Sequence, residues 1–308
     1  MTIRIAKPGL FTTVQDLGRY GYAHLGVSPA GAADVLSFRI ANLLVGNAEN
    51  VPALEMTLLG ATLQFEKSAI VALTGARCEC KMGAAQAPFN LAFDVAAGSV
   101  LQCGSIRNGA RCYLSVQGGF DIPMIMGSAS TFAAGHFGGL KGRSLQSGDV
   151  LQVRQPSASH VRTLRPGILD SLSASGKLRV TKGAQQEWFG PEAFAKLFSG
   201  VYVVSEHSDR SGLRLNGEAV RPRKTSELLT DGIPLGAIQV PQDGQPIILF
   251  VDQRTTGGYP KIANVIAADM HRVGQLRPRD EVEFVEVSIP EAVQLLRGQE
   301  QWLREIFQ

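Results

Sequence analysis

Short runs rich in β-branched residues recur along this chain, and they constrain its fold more than any other feature. They lie at residues 2–6, 61–66, 69–75, 111–116 and 149–154 in the first half, and at 177–181, 201–206, 237–240, 247–252 and 282–287 in the second. Many are bounded by Gly, Pro, Asn or Asp, which is typical of antiparallel all-β domains. Asp243-Gly244 lies between two such runs and predicts a hairpin, and the prolines beside it predict a loop longer than two residues.

Four segments have the pattern of a helix. One covers residues 33–47, with an apolar face and a terminator at Gly46, and one runs from Pro191 to Gly200. A third is predicted from Pro260 to residue 273, where apolar residues recur at helical spacing. The fourth starts at Pro290, and we expect its apolar stripe to pack on the body of the protein; the stripe consists of Val293, Leu296, Leu303 and Ile306.

A polar segment with two prolines, residues 154–167, separates two strand-rich halves. A chain of 308 residues can hold two domains, and boundaries fall in exposed segments of this kind. We therefore predict an N-terminal β lobe over residues 1–158 and a C-terminal β lobe over residues 159–308 that ends in a helix. The interface between them is the natural place to expect a site.

Composition excludes several classes of protein. The net charge is only +3 and the 30 basic residues are scattered, so no basic face for nucleic acid is visible. No run of 18 apolar residues predicts a membrane span, and the first residues, MTIRIAKPGLF, do not resemble a secretory signal. The sequence therefore predicts a cytoplasmic protein with no membrane or nucleic-acid partner.

The four cysteines fit such a compartment as reduced thiols. Cys78-Glu79-Cys80 is a C-x-C pair, whereas zinc sites usually have a C-x₂-C pair and a second pair elsewhere. The spacing favours small residues in a strand over metal ligands, and we predict no metal site.

Four segments combine glycine with hydroxyl, amide and charged side chains. The first is TTVQDLGRYGY, residues 12–22, continued to residue 34; it is too polar for a core strand and too rich in glycine for a helix. The second covers residues 117–149, where glycines and the hydroxyls of Ser128, Ser130 and Thr131 suit an anion. Tight β-turns explain the glycines of this segment equally well.

The other two segments add arginines and a Thr-Thr-Gly-Gly turn. Residues 205–217 bring Asp209, Arg210 and Arg214 close together; arginine suits carboxylate or phosphate recognition, and a solvated Asp–Arg surface is the alternative. Residues 251–269 lead from a strand through the turn to the helix predicted at Pro260. The N-terminus of a helix there would offer free N–H groups to an anion.

Several catalytic motifs are missing from the sequence. It contains no phosphate-binding P-loop, no G-x-S-x-G nucleophile elbow, no HExxH and no Met-Lys-Met triplet for biotin attachment. If ATP or biotin takes part in the reaction, we expect another protein of the same complex to carry it.

The motifs occur together in the order that one protein family shows. The sequence resembles the biotin-dependent carboxyltransferase / allophanate hydrolase subunit 2 family over residues 3–287, through TTVQDLGRYGY, GVSPAGAAD, QGGFDIP, SDRSGLRL, TTGGYPKIANVIAADM and GQLRP. That family includes the C subunit of the prokaryotic 5-oxoprolinase, KipA-like antagonists of a kinase inhibitor, and the second half of the urea carboxylase carboxyltransferase region. A separate chain of this length is most similar to the first branch.

The resemblance implies a fold and a set of partners. The implied fold is mainly β, with two β-barrel-like lobes of cyclophilin-like type and a few short helices. The implied function is that of one component of an ATP-dependent 5-oxoprolinase, which opens 5-oxo-L-proline to L-glutamate together with A-like and B-like subunits; which of them binds ATP is left open. The alternatives are a carboxyltransferase component acting on urea or another amide, with biotin on a partner, and a KipA-like binding protein.

The resemblance and the residue types nominate a candidate site. The candidate catalytic residues are Asp16, Arg19, Asp209, Arg210 and Asp252: the arginines as donors to a developing negative charge, the carboxylates as general base or as partners of the arginines. The candidate substrate- or anion-binding residues come from the same segments and from the strand at 237–240; they are Thr13, Gln15, Ser128, Ser130, Thr131, Arg214, Gln239, Arg254, Thr255, Thr256, Gly257, Gly258, Tyr259 and Lys261.

One departure from the family pattern lies within this candidate site. The family usually reads Asp-x-Gln-Thr-Thr-Gly-Gly-Tyr-Pro, whereas this chain has Gln253 one place earlier and Arg254 where the amide is expected. The additional charge bears on which substrate the site holds.

Overall fold

The computed structural model describes residues 1–155, 160–165, 176–224 and 228–307. The chain groups into two compact units. The first unit comprises Met1–Arg19, Ala30–Ser173 and Leu303–Gln308, and the second comprises Tyr20–Pro29 and Ala174–Trp302. The boundary predicted at residues 158–159 lies outside the described residues, so the division into lobes 1–158 and 159–308 stays a prediction. The grouping of residues 20–29 with the second unit divides the TTVQDLGRYGY motif between the units.

The described part of the first unit is built on a nine-stranded antiparallel sheet. Its strands are β1 (Thr2–Lys7), β2 (Phe11–Gln15), β3 (Ala53–Thr57), β4 (Thr62–Phe65), β5 (Ala69–Met82), β6 (Ala85–Gln86), β7 (Ala92–Val95), β8 (Val100–Val116) and β9 (Val150–Gln152). Six strands are hydrogen-bonded neighbours in the order β2-β3-β8-β4-β1-β9. The strand β5 pairs with β8 of this series and also with β7 and β6.

One helix, α1 (Val35–Leu44), covers part of this sheet. It begins at Asp34, whose carboxylate accepts hydrogen bonds from the N–H and the hydroxyl of Ser37 at 2.9 and 2.6 Å. An N-cap of this kind stabilises a helix by about 1 kcal/mol. Phe38 of the helix meets the ring of Tyr113 edge-on, with 6.1 Å between ring centroids. The helix is therefore fixed at its start and on its inner face.

In the described part of the second unit, seven strands close a barrel in the order β10-β17-β14-β15-β12-β11-β18, and two more form a separate ribbon, β13-β16. The strands are β10 (Lys177–Lys182), β11 (Tyr202–Val204), β12 (Gly212–Asn216), β13 (Asp231–Gly232), β14 (Ala237–Gln239), β15 (Ile247–Leu249), β16 (Thr256–Gly257), β17 (Lys261–Val265) and β18 (Glu281–Glu286). The helices are α2 (Pro191–Ser199), α3 (Met270–Val273) and α4 (Ile289–Glu305).

The predicted fold class is confirmed: the protein is mainly β, with a closed barrel, a half-barrel sheet and few short helices. A strand lies at every predicted strand position, and the predicted hairpin joins β14 to β15 through a long loop in which Gly244 has a φ of +83°. Three of the four predicted helices are confirmed as α1, α2 and α4. The stripe on α4 packs less completely than predicted, because Val293 is 42% exposed while Leu303 and Ile306 are buried.

The description of residues 12–22 as too polar for a core strand is wrong. Phe11–Gln15 is strand β2, and Thr12, Thr13, Val14 and Gln15 are all buried. Polar side chains are tolerated in a core when hydrogen bonds satisfy them. The hydrogen bonds of the Gln15 amide and of the Val14 carbonyl to Thr131 join residues 116 and 117 positions apart, so the local composition did not reveal them.

The helix predicted from Pro260 is also wrong at its start. Lys261–Val265 is strand β17, which pairs with β10 on one side and β14 on the other. Four of its five residues are buried, and a strand covered on both faces reads as a continuous apolar run. Periodicity alone cannot separate such a run from a buried helix. Helical structure begins only after it, with a 3₁₀ turn at Ala267–Asp269 and α3.

Among the described residues, no helix is long and apolar enough to cross a membrane.

Candidate functional site

Asp16, which directly follows β2, is a buried carboxylate held by four donors. Its Oδ1 accepts from the hydroxyls of Ser128 and Ser130 at 2.6 and 2.5 Å and from the N–H of Gly18 at 2.8 Å. Its Oδ2 accepts from the N–H of Ala129 at 2.6 Å. A carboxylate offers about four lone-pair positions, and these contacts occupy as many. The geometry thus makes Asp16 the residue that joins residues 128–130 to β2, and its role as a general base stays a prediction.

Arg19 is buried beside the same segment, and its donors reach main-chain oxygens. Its Nη2 donates to the carbonyl oxygen of Ser130 and its Nε to that of Ile125 at 3.4 Å, and its guanidinium lies 4.9 Å from the centre of the Phe137 ring. A Cβ at Gly138 would lie 2.8 Å from Nη2, so a glycine is needed for this approach. Arg19 therefore holds the segment from residue 125 to residue 138, and its role as a donor to a developing negative charge stays a prediction.

Thr13, Gln15 and Thr131 extend this network along β2. The amide nitrogen of Gln15 donates to the hydroxyl of Thr13 at 2.9 Å and to the carbonyl of Thr131 at 3.3 Å. The N–H and hydroxyl of Thr131 both donate to the carbonyl of Val14 at 2.9 Å. All three side chains are buried, and the Gln15 Oε1 has no hydrogen-bond partner within the described ranges. The structure shows these residues fastening the loop to β2; direct binding of a substrate by them stays a prediction.

A second buried network, missed by the sequence analysis, lies next to the first. Glu55 on β3 accepts from the N–H of Ala33 and the hydroxyl of Tyr113, both at 2.8 Å, and its Oε1 lies 3.5 Å from the Nε of Arg111. The Tyr113 hydroxyl in turn accepts from the N–H of Asp34 at 2.7 Å. Burial, followed by the charges of Glu55 and Asp34, raises the pKa of Tyr113 well above its usual range.

This network fixes the GVSPAGAAD segment. Residues 33 and 34 are hydrogen-bonded to Glu55 and Tyr113, and the N–H of Ala32 donates to the carbonyl of Asp16 at 2.9 Å. A Cβ on Gly31, whose φ is +93°, would lie 3.0 Å from the backbone of Gly18. The available signal in the sequence was a glutamate inside the otherwise apolar run ALEM, since charged residues are almost never buried without partners.

In the second unit, Arg210 and Asp252 form a buried bidentate ion pair. The Arg210 Nε lies 2.8 Å from Asp252 Oδ2, and its Nη2 lies 3.2 Å from Oδ1. The side chains are 8% and 7% exposed. The N–H of Asp252 also donates to the Arg210 carbonyl at 2.9 Å. Two candidate catalytic residues are thus brought together as partners, which leaves the Asp252 carboxylate engaged by a cation.

Lys261, the first residue of β17, is also buried and paired. Its Nζ lies 2.9 Å from Asp231 Oδ2 and 3.1 Å from the carbonyl oxygen of Gly232; the lysine side chain is 2% exposed and the aspartate side chain 54% exposed. The hydrogen bond from Lys261 lowers the pKa of Asp231, so the carboxylate stays ionised. Gln185 contacts both residues, donating to Asp231 at 3.3 Å and accepting from the Lys261 N–H at 3.2 Å. Lys261 therefore anchors the β13–β16 ribbon to the barrel.

The Thr-Thr-Gly-Gly turn forms one strand of that ribbon. Thr256 and Gly257 pair with Gly232 and Asp231, and the carbonyl of Thr255 accepts from the N–H of Ile233 at 3.0 Å. A Cβ on Gly257 would lie 2.8 Å from Ile233 and 3.1 Å from the amide nitrogen of Gln239. The predicted helix N-terminus does not exist here, so its argument for an anion site is wrong.

The two residues that depart from the family pattern behave differently. Gln253 is buried, and its amide nitrogen donates to the carbonyl of Ile233 at 3.0 Å. Arg254 is exposed, and its guanidinium makes no hydrogen bond or ion pair with any described residue. The amide therefore supports the ribbon, and the arginine offers its full charge to solvent.

The remaining candidate residues of the second unit have distinct settings. Asp209 is exposed, and its Oδ1 accepts from the N–H groups of Ser211 and Gly212 at 2.7 and 3.2 Å, as in an ordinary Asx turn. Arg214 is exposed on β12. Gln239 is buried and donates to the carbonyl of Tyr259, whose side chain is exposed, at 3.3 Å. A Cβ on Gly258 would lie 3.3 Å from the carbonyl of residue 228.

A further buried carboxylate, Asp269, supports the barrel from the turn after β17. It accepts from the main-chain N–H of Arg179 at 2.8 Å and from two guanidinium nitrogens of the same residue. Burial raises the pKa of Asp269, but the hydrogen bonds and charge of Arg179 outweigh burial and leave it below its ordinary value. The carboxylate is therefore ionised at neutral pH.

Comparison with known proteins decides the family. Residues 25–286 match the family described as carboxyltransferase domain, subdomains A and B. The chain belongs to this carboxyltransferase-domain family. The resemblance inferred from the motifs is thereby confirmed.

Relatives of this carboxyltransferase-domain chain fall into two groups. The C subunit of the Escherichia coli 5-oxoprolinase is 37% identical over 304 residues, which cover 99% of this chain and 97% of that protein. The protein of the same name from Haemophilus influenzae is 38% identical over 294 residues, with 96% and 94% covered. The urea amidolyase of Saccharomyces cerevisiae is 34% identical over 320 residues, but these are only 17% of that protein.

Solved structures show the same fold. The structure of the K. lactis urea amidolyase matches 99% of this chain with a TM-score of 0.93 and 35% identity. The Kluyveromyces lactis urea carboxylase matches 99% of it with a TM-score of 0.91 and 35% identity. The chain spans 20% and 29% of these two proteins, respectively.

Proposed function

We propose that this chain is the C subunit of an ATP-dependent 5-oxoprolinase, which opens 5-oxo-L-proline to L-glutamate together with A-like and B-like subunits in the cytoplasm. The proposal rests on the share of each relative's length that aligns with this chain. The two 5-oxoprolinase C subunits align with this chain over 97% and 94% of their own length, whereas the urea amidolyase aligns over 17% of its length. The chain therefore aligns with nearly the whole length of the relatives in the first group and with one part of a much larger protein in the second.

The chemistry of 5-oxoproline sets out what its site must supply. The substrate carries a carboxylate, for which arginine is a suitable partner, and its ring opening develops negative charge on the lactam oxygen, which requires donors. Arg254 is exposed beside the β13–β16 ribbon, and the structure commits it to no described partner. We assign Arg254 to the substrate carboxylate. Lys261 and the Asp231 carboxylate act by fixing the ribbon that presents it.

ATP enters the proposal as a reactant of the complex. The helix start that the sequence offered as a phosphate site is a strand, since Lys261 begins β17. The proposal therefore assigns the nucleotide to a partner protein of the complex, where ATP would activate the lactam for hydrolysis.

The proposal is tested with the assembled complex. The chain is co-expressed with its A-like and B-like partners, the complex is purified, and glutamate release from 5-oxoproline is measured with and without ATP. We expect ATP-dependent release. Three associated proteins that release no glutamate would refute the proposed function.

A charge reversal tests the role of Arg254 within the same complex. Arg254→Glu replaces an attraction to the substrate carboxylate by a repulsion, and we expect the KM for 5-oxoproline to rise by at least about tenfold, equivalent to about 1.4 kcal/mol, with a smaller change in kcat. The matched control is Arg297→Glu, which reverses an exposed charge on α4 of the same unit. Equal KM values for the two variants would contradict the assignment while leaving the proposed function of the chain intact.

The structural matches favour one second candidate, the carboxyltransferase component of a biotin-dependent urea or amide carboxylase. Its support is the pair of TM-scores above 0.9 to urea amidolyase and urea carboxylase. This chain lacks a Met-Lys-Met triplet, so a partner would carry the biotin. Avidin blotting of proteins that co-purify with the chain separates the two candidates: a biotinylated partner and urea-dependent ATP hydrolysis support the second, and the lack of both refutes it.

A further inference from the structure

All four cysteines of the chain lie together in the core of the first unit. Cys78 and Cys80 are on β5, and Cys103 and Cys112 are on β8. Each is buried and each is a free thiol. The Sγ atoms of Cys78, Cys80 and Cys103 all lie within 4.8 Å of one another, and Cys112 lies on the same strand as Cys103.

The pairing of β5 with β8 explains how residues so far apart in sequence meet. Cys80 and Cys103 are directly opposite each other on the two antiparallel strands. The register shifts between Cys78 and Cys80, and an irregularity of this kind changes the direction of side chains along a strand. Cys112 is opposite Gly75, which has no side chain to occupy the space beside it. The geometry therefore places two thiols from β5 and one from β8 in one cluster, and Cys112 lies farther along β8, opposite Gly75.

We propose that the three clustered thiols, with Cys112 as the fourth ligand, bind a thiophilic d¹⁰ metal ion, and that zinc is the ion that fits these ligands. Zinc bound by four cysteine sulfurs is tetrahedral with Zn–S distances of about 2.3 Å, which places the sulfurs about 3.8 Å apart. For Cys78, Cys80 and Cys103 the observed 4.8 Å limit means that side-chain rotations closing each sulfur–sulfur distance by about 1 Å or less are sufficient. The sequence analysis found a C-x-C pair without a second pair of cysteines beside it. Cys103 and Cys112 on β8 are that second pair.

Polar and charged groups lie close to the cluster. The Cys78 Sγ lies 3.4 Å from the carbonyl oxygen of Gly104. On the exposed side of the same strands, Arg77 and Arg107 are directly opposite each other. Arg107 forms an ion pair with Glu79 at 2.7 Å, and Arg77 forms no ion pair with a described residue. Like charges in this position normally destabilise a sheet, and an adjacent anionic metal–thiolate group offsets that repulsion.

Ordinary packing predicts a different behaviour. A buried cysteine without a metal acts as a small hydrophobic residue, and replacing it by serine changes stability but creates no metal-dependent signal. A bound metal couples the four positions, because loss of one ligand weakens binding at all the others. The two accounts therefore differ in a measurement that does not involve the proposed enzymatic function.

The test uses the full chain, reduced and freed of metal, with Co²⁺ as a spectroscopic probe and Zn²⁺ as the competing ion. We expect one ion per chain, a sulfur-to-cobalt charge-transfer band in the near ultraviolet, and loss of that band when zinc is added. Cys80→Ser and Cys103→Ser should weaken binding by more than the roughly 10–100-fold that loss of an outer-sphere partner costs. The matched control is Ala76→Ser, which buries a hydroxyl on the same strand without removing a thiol and should bind like the unaltered protein.

Three outcomes would overturn the proposal. The first is a folded, fully reduced chain, judged by circular dichroism and a count of four reactive thiols after unfolding, that gives no charge-transfer band at one equivalent of Co²⁺. The second is equal affinity of Cys80→Ser and Ala76→Ser. The third is a metal-free protein isolated from cells whose intact mass shows a disulfide, which would make the directly opposed Cys80 and Cys103 a redox pair instead.

Discussion

The buried Arg210–Asp252 pair allows the strongest quantitative test of the second unit. Arg210→Met would leave the Asp252 carboxylate buried without its bidentate partner, and removing one member of such a pair costs about 3–5 kcal/mol. Two unit charges about 4 Å apart interact by about 4 kcal/mol at an effective dielectric constant of 20 and by about 1 kcal/mol in bulk water. The side chains of Arg210 and Asp252 are 8% and 7% exposed, so the effective dielectric constant of 20 applies to them better than that of bulk water.

The chain contains a matched pair in the opposite environment. The Nε of Arg279 lies 2.8 Å from Glu206 Oε1, the same distance that separates the Arg210 Nε from Asp252 Oδ2. Its side chains are 85% and 60% exposed, so the expected coupling is about 0–1 kcal/mol. The shortest contact is the same in the two pairs, whereas the first pair is buried and bidentate and the second is exposed and joined by one hydrogen bond.

Double-mutant cycles measure both couplings by urea unfolding. Arg210→Met, Asp252→Asn and their combination form one cycle, and Arg279→Met, Glu206→Gln and their combination form the other. Tryptophan fluorescence follows the unfolding of the second unit, because both tryptophans of the chain, at positions 188 and 302, belong to it. We expect the buried pair to show the larger coupling by about 2 kcal/mol or more. Couplings that agree within about 0.5 kcal/mol would refute the reasoning from burial.

Three further predictions concern buried polar groups and backbone strain. The pKa of Asp269 is lower in the folded protein than its ordinary value, so ionised Asp269 stabilises the fold fully above about pH 4 and this stabilisation is lost as the pH falls. Asp269→Asn cannot lose it, so the urea midpoint of this variant should fall less between pH 5 and pH 3 than that of the unaltered protein. Tyr113→Phe removes a donor to Glu55 and should cost about 1–3 kcal/mol, seen as faster amide exchange at residues 33 and 34. Gly31→Ala should speed amide exchange over residues 12–19 more than Gly148→Ala does, because both glycines have φ near +90° but only the first would contact backbone.

The architecture could be predicted from the sequence because its signals are local. Alternating and β-branched runs bounded by turn residues marked strands in both units, and a proline start with a glycine end marked α2. The hairpin around Gly244 depends on a positive φ that glycine adopts without strain, so it too could be predicted from a few neighbouring residues. These features do not require knowledge of what lies elsewhere in the chain.

The errors occurred where a residue's environment is supplied by distant parts of the chain. The end of β2 and the Asp16 that follows it can be buried because Ser128, Ser130 and Thr131 provide hydrogen bonds to Asp16 and to the Val14 carbonyl from 112 to 117 positions away. Lys261 begins a strand because β10 and β14 accept it into the barrel, although its neighbours have the spacing of a helix. Local composition shows that burying such polar groups costs free energy. The hydrogen bonds that offset this cost come from tertiary contacts, which the local sequence does not show.

The same distinction applies to the chemistry. The sequence nominated Asp16 and Arg19 as unusual charged residues, but the role of each depends on which atoms it meets: hydroxyls and amides for the first, carbonyl oxygens and an aromatic ring for the second. A carboxylate that is fully hydrogen-bonded positions its neighbours, whereas an exposed arginine such as Arg254 is available to a ligand. Residue type limits the chemistry that a position can perform, and the state of its hydrogen bonds decides whether it can act on a substrate. For this chain, that criterion moves the expected point of substrate contact from the TTVQDLGRYGY motif to the exposed face of the β13–β16 ribbon.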